Sequence, residues 1–415
     1  MTRRELTTWT FRRPRPWGIA AFGLAALLAA AGCAPQSLAA AGSPGSGSST
    51  TSSARGSAGA ATGSASSAPA DVTISGSLSS GRLLTDAALH ATVTAGTLTG
   101  ITVIGPDGKP VPGALSASSG TWTPAHPLAY ATTYKVAATA TNTAGQSTSV
   151  QQTYTTINPS TTVRVAATTP SSGHHVGDAQ PMVVIFTAPV TNKAQVEKQL
   201  TLTDTSHVTG AWRWLSDTRV DYRPKTYWPM GDQVTLTADL TGVQAGPHLW
   251  GAGTFTSTFT VTSDLHAVVD AAKHTVTVSI GGKVVRTLKT DTGMPQFATW
   301  GGSMVVLQKM PKVQMTSCSV GLSCTPGTPN YYDLAVYKDV QLTPSGTFVH
   351  AAPWDTQLGK ANTSHGCIHL SNADAAWFYS QVQEGDLVTV KNAGQQVKIT
   401  NGEGDWNLSW AQWTA

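Results

Sequence analysis

Three histidines and one cysteine fall in the twenty residues from His350 to His369, in the runs Phe348-Val-His-Ala-Ala-Pro-Trp354 and Thr363-Ser-His-Gly-Cys-Ile-His-Leu370. A thiolate is the reactive form of cysteine, and a free thiol with a pKa of about 8.5 is mostly protonated at neutral pH. An imidazole that takes its proton makes it a nucleophile. Cys367 and His350 can meet if the strand ending at His350 lies beside the loop that carries the cysteine. Gly366 lets the backbone approach a substrate closely, leaving main-chain N–H groups to face a developing oxyanion. A helix starting a few residues later would add partial positive charge. These are the parts of an acyl-transfer site. Zinc is the rival, because His350, His365, Cys367 and His369 are all good ligands. Structural zinc sites usually pair their ligands at short spacing in both halves, whereas here one half offers His350 alone, so neither a metal nor a cofactor is expected. An inert buried cysteine fits the neighbouring motif poorly. His365 reads as a packing and hydrogen-bonding residue, and Trp354 and Trp377 as core.

The elements that must hold this group are mainly β. Ser371-Asn-Ala-Asp374 is a helix start, Trp377, Phe378 and Val382 give an apolar face, and Gly385 fits the position after the helix end. Strands are expected at Ala267–Val269 and Thr275–Ile280, with Gly281-Gly282 as a hairpin turn. The unit spans residues 263–391. Before it, residues 71–158 and 159–262 each show short alternating strands. Tyr134, Val136 and Ala138 alternate in one, and Val234, Leu236 and Ala238 in the other, where Met182–Phe186 is a continuous apolar strand. Turns are marked at Gly105–Gly108 and Asn142–Gly145. Trp122-x-Pro124 and Tyr222-x-Pro224 precede similar strands, which points to two copies of one β-sandwich. They read as spacers or wall-contact modules. The tail, 392–415, holds Trp406, Trp410 and Trp413 and reads as a strap packed on the catalytic unit.

The N-terminus sets the compartment. Arg3, Arg4, Arg12, Arg13 and Arg15 precede fifteen apolar or small residues, Trp17–Ala31, and then Gly32-Cys33, the layout of a secretory signal peptide over residues 1–33. Fifteen residues fall short of the roughly 20 that span a bilayer. Small residues before Cys33 resemble a lipobox, so Cys33 is expected to be lipidated, placing the protein on the outer face of the cytoplasmic membrane. The signal segment carries five arginines and one glutamate, equal to the +4 of the whole chain, so the exported part is near neutral and nucleic acid is not an expected partner. Residues 34–70 are Ala, Gly, Ser, Thr and Pro apart from Gln36, Leu38 and Arg55, their one charge, and read as a disordered tether with a span of about 30 Å. An anchor with a spacer implies a target outside the membrane.

The His350 segment followed by Ser-His-Gly-Cys resembles the signature of the L,D-transpeptidase (YkuD) catalytic domain. Tyr332, Pro344–His350, Ala352-Pro-Trp354, Trp377-Phe-Tyr379, Gly385-Asp386 and Gly404–Trp410 resemble the subgroup with two Ig-like domains before the catalytic one. The resemblance implies a monomeric cell-wall enzyme in which Cys367 attacks the carbonyl before the terminal D-alanine of a donor tetrapeptide stem. His350 serves as acid and base, and the acyl group passes to a diaminopimelate amine of an acceptor stem, giving a 3,3 cross-link. L,D-carboxypeptidase action or a non-catalytic wall-binding lipoprotein are the alternatives. By position, the Gly346 carbonyl would orient His350, Ser345 and Gly346 would border the donor, and Tyr332 with the Gly366 and Cys367 amides would line the oxyanion region. Gly302–Pro329 would be a mobile flap with Met315 in the substrate channel, and carbapenems would acylate Cys367. The chain departs from the family at His369, where Asn is usual; His369 would bind donor and adds a titratable group. It departs again at Cys318 and Cys324, expected to pair as a disulfide in an oxidising compartment.

Overall fold

A computed structural model describes residues 68–415. The expected signal peptide, the lipidation site Cys33 and the tether up to residue 67 lie outside the described residues.

The first sandwich packs a sheet of Asp71–Gly76, Leu89–Thr94, Thr121–Pro124 and Gly113–Ser116 against Thr97–Ile104, Thr133–Thr141 and Ser147–Thr155. Its core takes the alternating inward residues of both sheets, among them Val72, Leu89, Val103, Trp122, Val136 and Ala138. Ala70 belongs to that core at 3% exposure, so folded structure begins slightly before the expected residue 71. The second sandwich repeats the design, with Met182–Phe186 central in one sheet and Gln233–Asp239 in the other. The repeated aromatic-x-Pro motif has a common geometry. Pro124 pairs with Gly113 and Pro224 with Gly210. A Cβ on Gly113 would strike the Trp122 ring, and one on Gly210 the Tyr222 ring and hydroxyl. In both copies the ring lies over a glycine of the neighbouring strand, where nothing larger fits. The motif thus fixes strand pairing rather than a ligand site.

The catalytic unit also has two sheets. Lys283–Lys289, Thr275–Ile280, His266–Asp270, Leu387–Lys391 and Gly302–Val305 form one in that order. The other runs Gln308–Thr316 (β1), Asp333–Gln341 (β2), Phe348–Ala351 (β3) and Ile368–Leu370 (β4), followed in the chain by the helix Asn372–Gln381 (α1). Val269, Val278 and Val388 of the first sheet meet Val340, Val349, Ile368 and Leu370 of the second, with Phe378 of α1 closing the core. Ser371 caps α1 by accepting from the Asp374 amide, as its sequence implies. The expected glycine stop is corrected: α1 ends at Gln381, and Gly385 instead packs against Gly177 of the second sandwich.

Two seams join the units. Tyr130 of the first sandwich donates to the Gly251 carbonyl at 2.6 Å and accepts from the Gly242 amide. The tryptophan strap reaches the second sandwich as well as the catalytic unit, which corrects the expectation that it packs on the latter alone. Trp413 is 1% exposed and donates to the Ala211 carbonyl, while Trp406 donates to that of Ala179. The buried Arg223 guanidinium lies 4.6, 5.5 and 4.9 Å from the rings of Trp406, Trp410 and Trp413. Together with the Pro224 and Leu408 carbonyls, the aromatic faces accept the arginine that strand 219–224 buries. Asn407 ties the strap to Ser303 of the catalytic unit.

Candidate active site

Strand β3 runs parallel to β4, with His350 opposite His369 and Val349 opposite Ile368. Side chains alternate along a strand, so Cys367, two residues before His369, falls on the same face as both histidines. The loop entering β4 is fixed from behind. Asp291 accepts from the Thr363 amide at 2.7 Å, the Ser364 amide at 3.2 Å and the Thr363 hydroxyl. Ser364 Oγ donates to the Cys367 carbonyl at 2.7 Å and accepts from the Gly366 amide. That turn needs Gly366 at φ +116°, a backbone state that side chains disfavour. The Gly366 N–H, expected to face an oxyanion, is therefore engaged inside its own loop.

His350 is 2% exposed, and its Nδ1 lies 3.0 Å from the Ala351 carbonyl. A carbonyl can only accept, so Nδ1 carries the proton and Nε2 keeps its lone pair. The expected orienting group, the Gly346 carbonyl, faces the thiol instead, accepting from Cys367 Sγ at 3.6 Å. The correction follows from geometry: the residue next to His350 reaches the ring nitrogen first. Burial, and then the neighbouring His369, push His350 down to about 3, against the pull of the Ala351 carbonyl. Burial pushes the half-buried Cys367 thiol up to about 11, opposed by the Phe348 backbone. Thiol and imidazole thus rest uncharged. Tyr332 is held at about 12 by burial and then by Cys367, so its hydroxyl remains a proton donor at any working pH.

Other expected residues are distributed around this centre. His365 lies between the rings of Phe297 and Tyr332, at 5.1 and 5.3 Å. Cys318 and Cys324 are bonded to each other, leaving Cys367 as the free cysteine of the described residues. The first half of the flap over Gly302–Pro329 is nearly all strand, with Met315 in β1 opposite Leu334; the irregular half begins at Ser317. Ser345 bonds Thr343 and Asn401, which ties the donor-side loop to the strap. His369, expected on the donor, gives its Nδ1 to Asp355 Oδ2 at 2.8 Å. Trp354, read as core, is 51% exposed and stands over His350 and His369 at 6.3 and 6.1 Å. The sequence reading missed Asp355 and Asp291. Asp355 directly follows the Ala-Ala-Pro-Trp run and was legible as an acid in the reactive segment. Asp291, more than seventy residues from the cysteine, gave no local signal. Asp291, Asp355 and His369 bring potential ligand atoms within 4.8 Å of one another, but both Asp291 oxygens hold the loop and Asp355 holds the imidazole.

A thiol on the same face of the sheet as a neutral imidazole with a free Nε2 is a general-base arrangement for acyl transfer. The model of the L,D-transpeptidase catalytic domain, YkuD, matches residues 264–390, and that of a bacterial Ig domain matches 82–244 across both sandwiches. L,D-transpeptidase 2 of Mycobacterium tuberculosis is 32% identical over 332 residues, covering 80% of each chain. L,D-transpeptidase 1 of the same organism is 35% identical over 227 residues, 54% of this chain and 84% of the relative. A solved L,D-transpeptidase from Mycobacterium smegmatis is 35% identical, covering 55% of this chain and 99% of that one, with a TM-score of 0.45. The chain belongs to the L,D-transpeptidase family, an enzyme family of the bacterial cell wall, with an Ig-like region ahead of its YkuD catalytic domain.

Proposed function

We propose that this enzyme forms 3,3 cross-links through a thioester on Cys367. The observation that carries the reading is His350 with its proton fixed on Nδ1 by the Ala351 carbonyl, which leaves Nε2 as a base on the face shared with Cys367. The sulfur attacks the carbonyl between the third stem residue and D-alanine while Nε2 takes the thiol proton. The C–N bond then breaks, and the imidazolium gives that proton to the departing amine of D-alanine. A diaminopimelate amine of the acceptor stem next attacks the thioester, His350 takes its proton, and the thiol is restored. Tyr332, held as a donor, suits stabilisation of the oxyanion in both tetrahedral states. Ser345, Gly346 and Met315 border the stem peptides. The same nucleophile accounts for acylation by carbapenems. Lipidation at Cys33 would tether the enzyme outside the membrane, and residues 34–70 would carry the catalytic unit into the wall.

The test is mass spectrometry of products after the protein meets a tetrapeptide-bearing muropeptide, with Cys367→Ala alongside. A Cys367-dependent dimer that has lost D-alanine is expected. Tripeptide without dimer would assign carboxypeptidase activity instead, and no product with either protein would end the enzymatic reading.

A further inference from the structure

We propose that Asp355 and His369 form a positioning pair for the base of this reaction, with Asp355 fixing the His369 ring and that ring fixing the tilt and basicity of His350. The inference rests on the reading of His350 as base and extends it to two residues outside the reacting atoms. Where the resemblance leads one to expect Asn at position 369, this chain carries His, whose ring can pair with Asp355.

Three observations carry it. The parallel register sets His350 directly opposite His369, and their rings meet edge to face, centroids 4.8 Å apart at 63°. His369 is itself immobilised: its Nδ1 is 2.8 Å from Asp355 Oδ2, its amide donates to the Asp291 carbonyl at 2.8 Å, and its carbonyl accepts from Thr290 Oγ1 at 2.8 Å. Asp355 is fixed in turn, since its second oxygen accepts from the Gln357 amide at 2.7 Å and its own amide donates to the Ala352 carbonyl. The Asp355 and His369 side chains are 4% and 12% exposed, so neither serves as a solvated surface group.

The Ala351 carbonyl decides which His350 nitrogen carries the proton, but one hydrogen bond to an adjacent residue leaves the ring free to tilt about it. The His369 edge on one side, with Trp354 beside both rings, removes that freedom. The charged and titratable groups facing His369 are Asp355 from the loop after β3, Asp291 from the neighbouring bridge, His350 from β3 and His365 from its own loop. The His369 ring, held against His350 by Asp355, pushes His350 down beyond what burial does, so the pair keeps the base unprotonated until it takes the thiol proton.

The test is the pH dependence of D-alanine release from a tetrapeptide stem by the purified protein and its variants. His369→Asn removes the ring that helps to lower His350, and the acid limb of kcat/KM is expected to move to higher pH. Asp355→Asn frees the His369 ring, and kcat is expected to fall about tenfold or more at little change in KM, as for a misplaced catalytic group; Asp355→Glu should recover part of the loss. Variants with unchanged Tm whose acid limb and kcat match the parent would overturn the proposal, as would a change confined to KM, which marks a substrate contact. Full D-alanine release by His350→Asn would instead refute the base assignment on which the proposal stands.

Discussion

Full burial of His350 and partial burial of Cys367 leave both uncharged, and this has two measurable consequences. With the thiol near 11, labelling of Cys367 by iodoacetamide in the free protein should climb about tenfold per pH unit through pH 8 and 9; a plateau near neutrality would show a preformed thiolate–imidazolium pair and defeat the general-base scheme. The second consequence concerns stability. His350 is lowered to about 3 in the fold, whereas the unfolded chain takes a proton below about 6.5. Its contribution is therefore complete above 6.5 and lost as pH falls towards 3. His350→Gln should flatten the fall of the thermal midpoint over that window, read by scanning calorimetry.

Two elements hold the site without touching the chemistry. The disulfide between Cys318 and Cys324 closes the short loop whose Val320 lies against Gly346, the residue whose carbonyl receives the thiol. Cys318→Ser with Cys324→Ser should slow acylation severalfold while shifting Tm by a few degrees at most, because a six-residue clasp restrains little of the unfolded chain. Equal acylation rates would show that the clasp does not shape the site. The strap is the second element. Arg223→Ala empties the cage of three tryptophans and orphans the Leu408 carbonyl, at a cost of roughly 3 kcal/mol in urea unfolding. A loss below about 0.5 kcal/mol would place Arg223 among residues of neutral effect.

For the whole molecule, buried acids dictate the response to alkali. Burial, and then Asp221, raise Glu403 to about 8, and burial raises Asp386 and Asp339 to about 7. An acid raised in the fold contributes stability that is complete below its unfolded pKa and lost as pH rises through the folded one. Tm should therefore fall between pH 5 and 9, opposite in sign to the His350 effect, with the maximum in mild acid. Gln180 donates to Glu403 Oε2 at 2.7 Å, a bond that Glu403→Gln can keep, so this variant should flatten the alkaline fall. An unchanged slope would show that Glu403 is not its source.

Much of this was legible in sequence because its causes are local. The period of two in Tyr134–Ala138 and Val234–Ala238, the Ser371 cap and the Gly281-Gly282 hairpin each depend on neighbours a few residues away, and all appear in the fold. The resemblance carried by Ser-His-Gly-Cys367 fixed the family. What tertiary structure alone decided are contacts between residues far apart in the chain. Asp291 reaches the loop at Thr363, Arg223 reaches the strap, and the tryptophans turn to the second sandwich. The parallel register of β3 and β4 presses His369 on His350, because a crossover connection leaves no short-range mark of which residues will face each other.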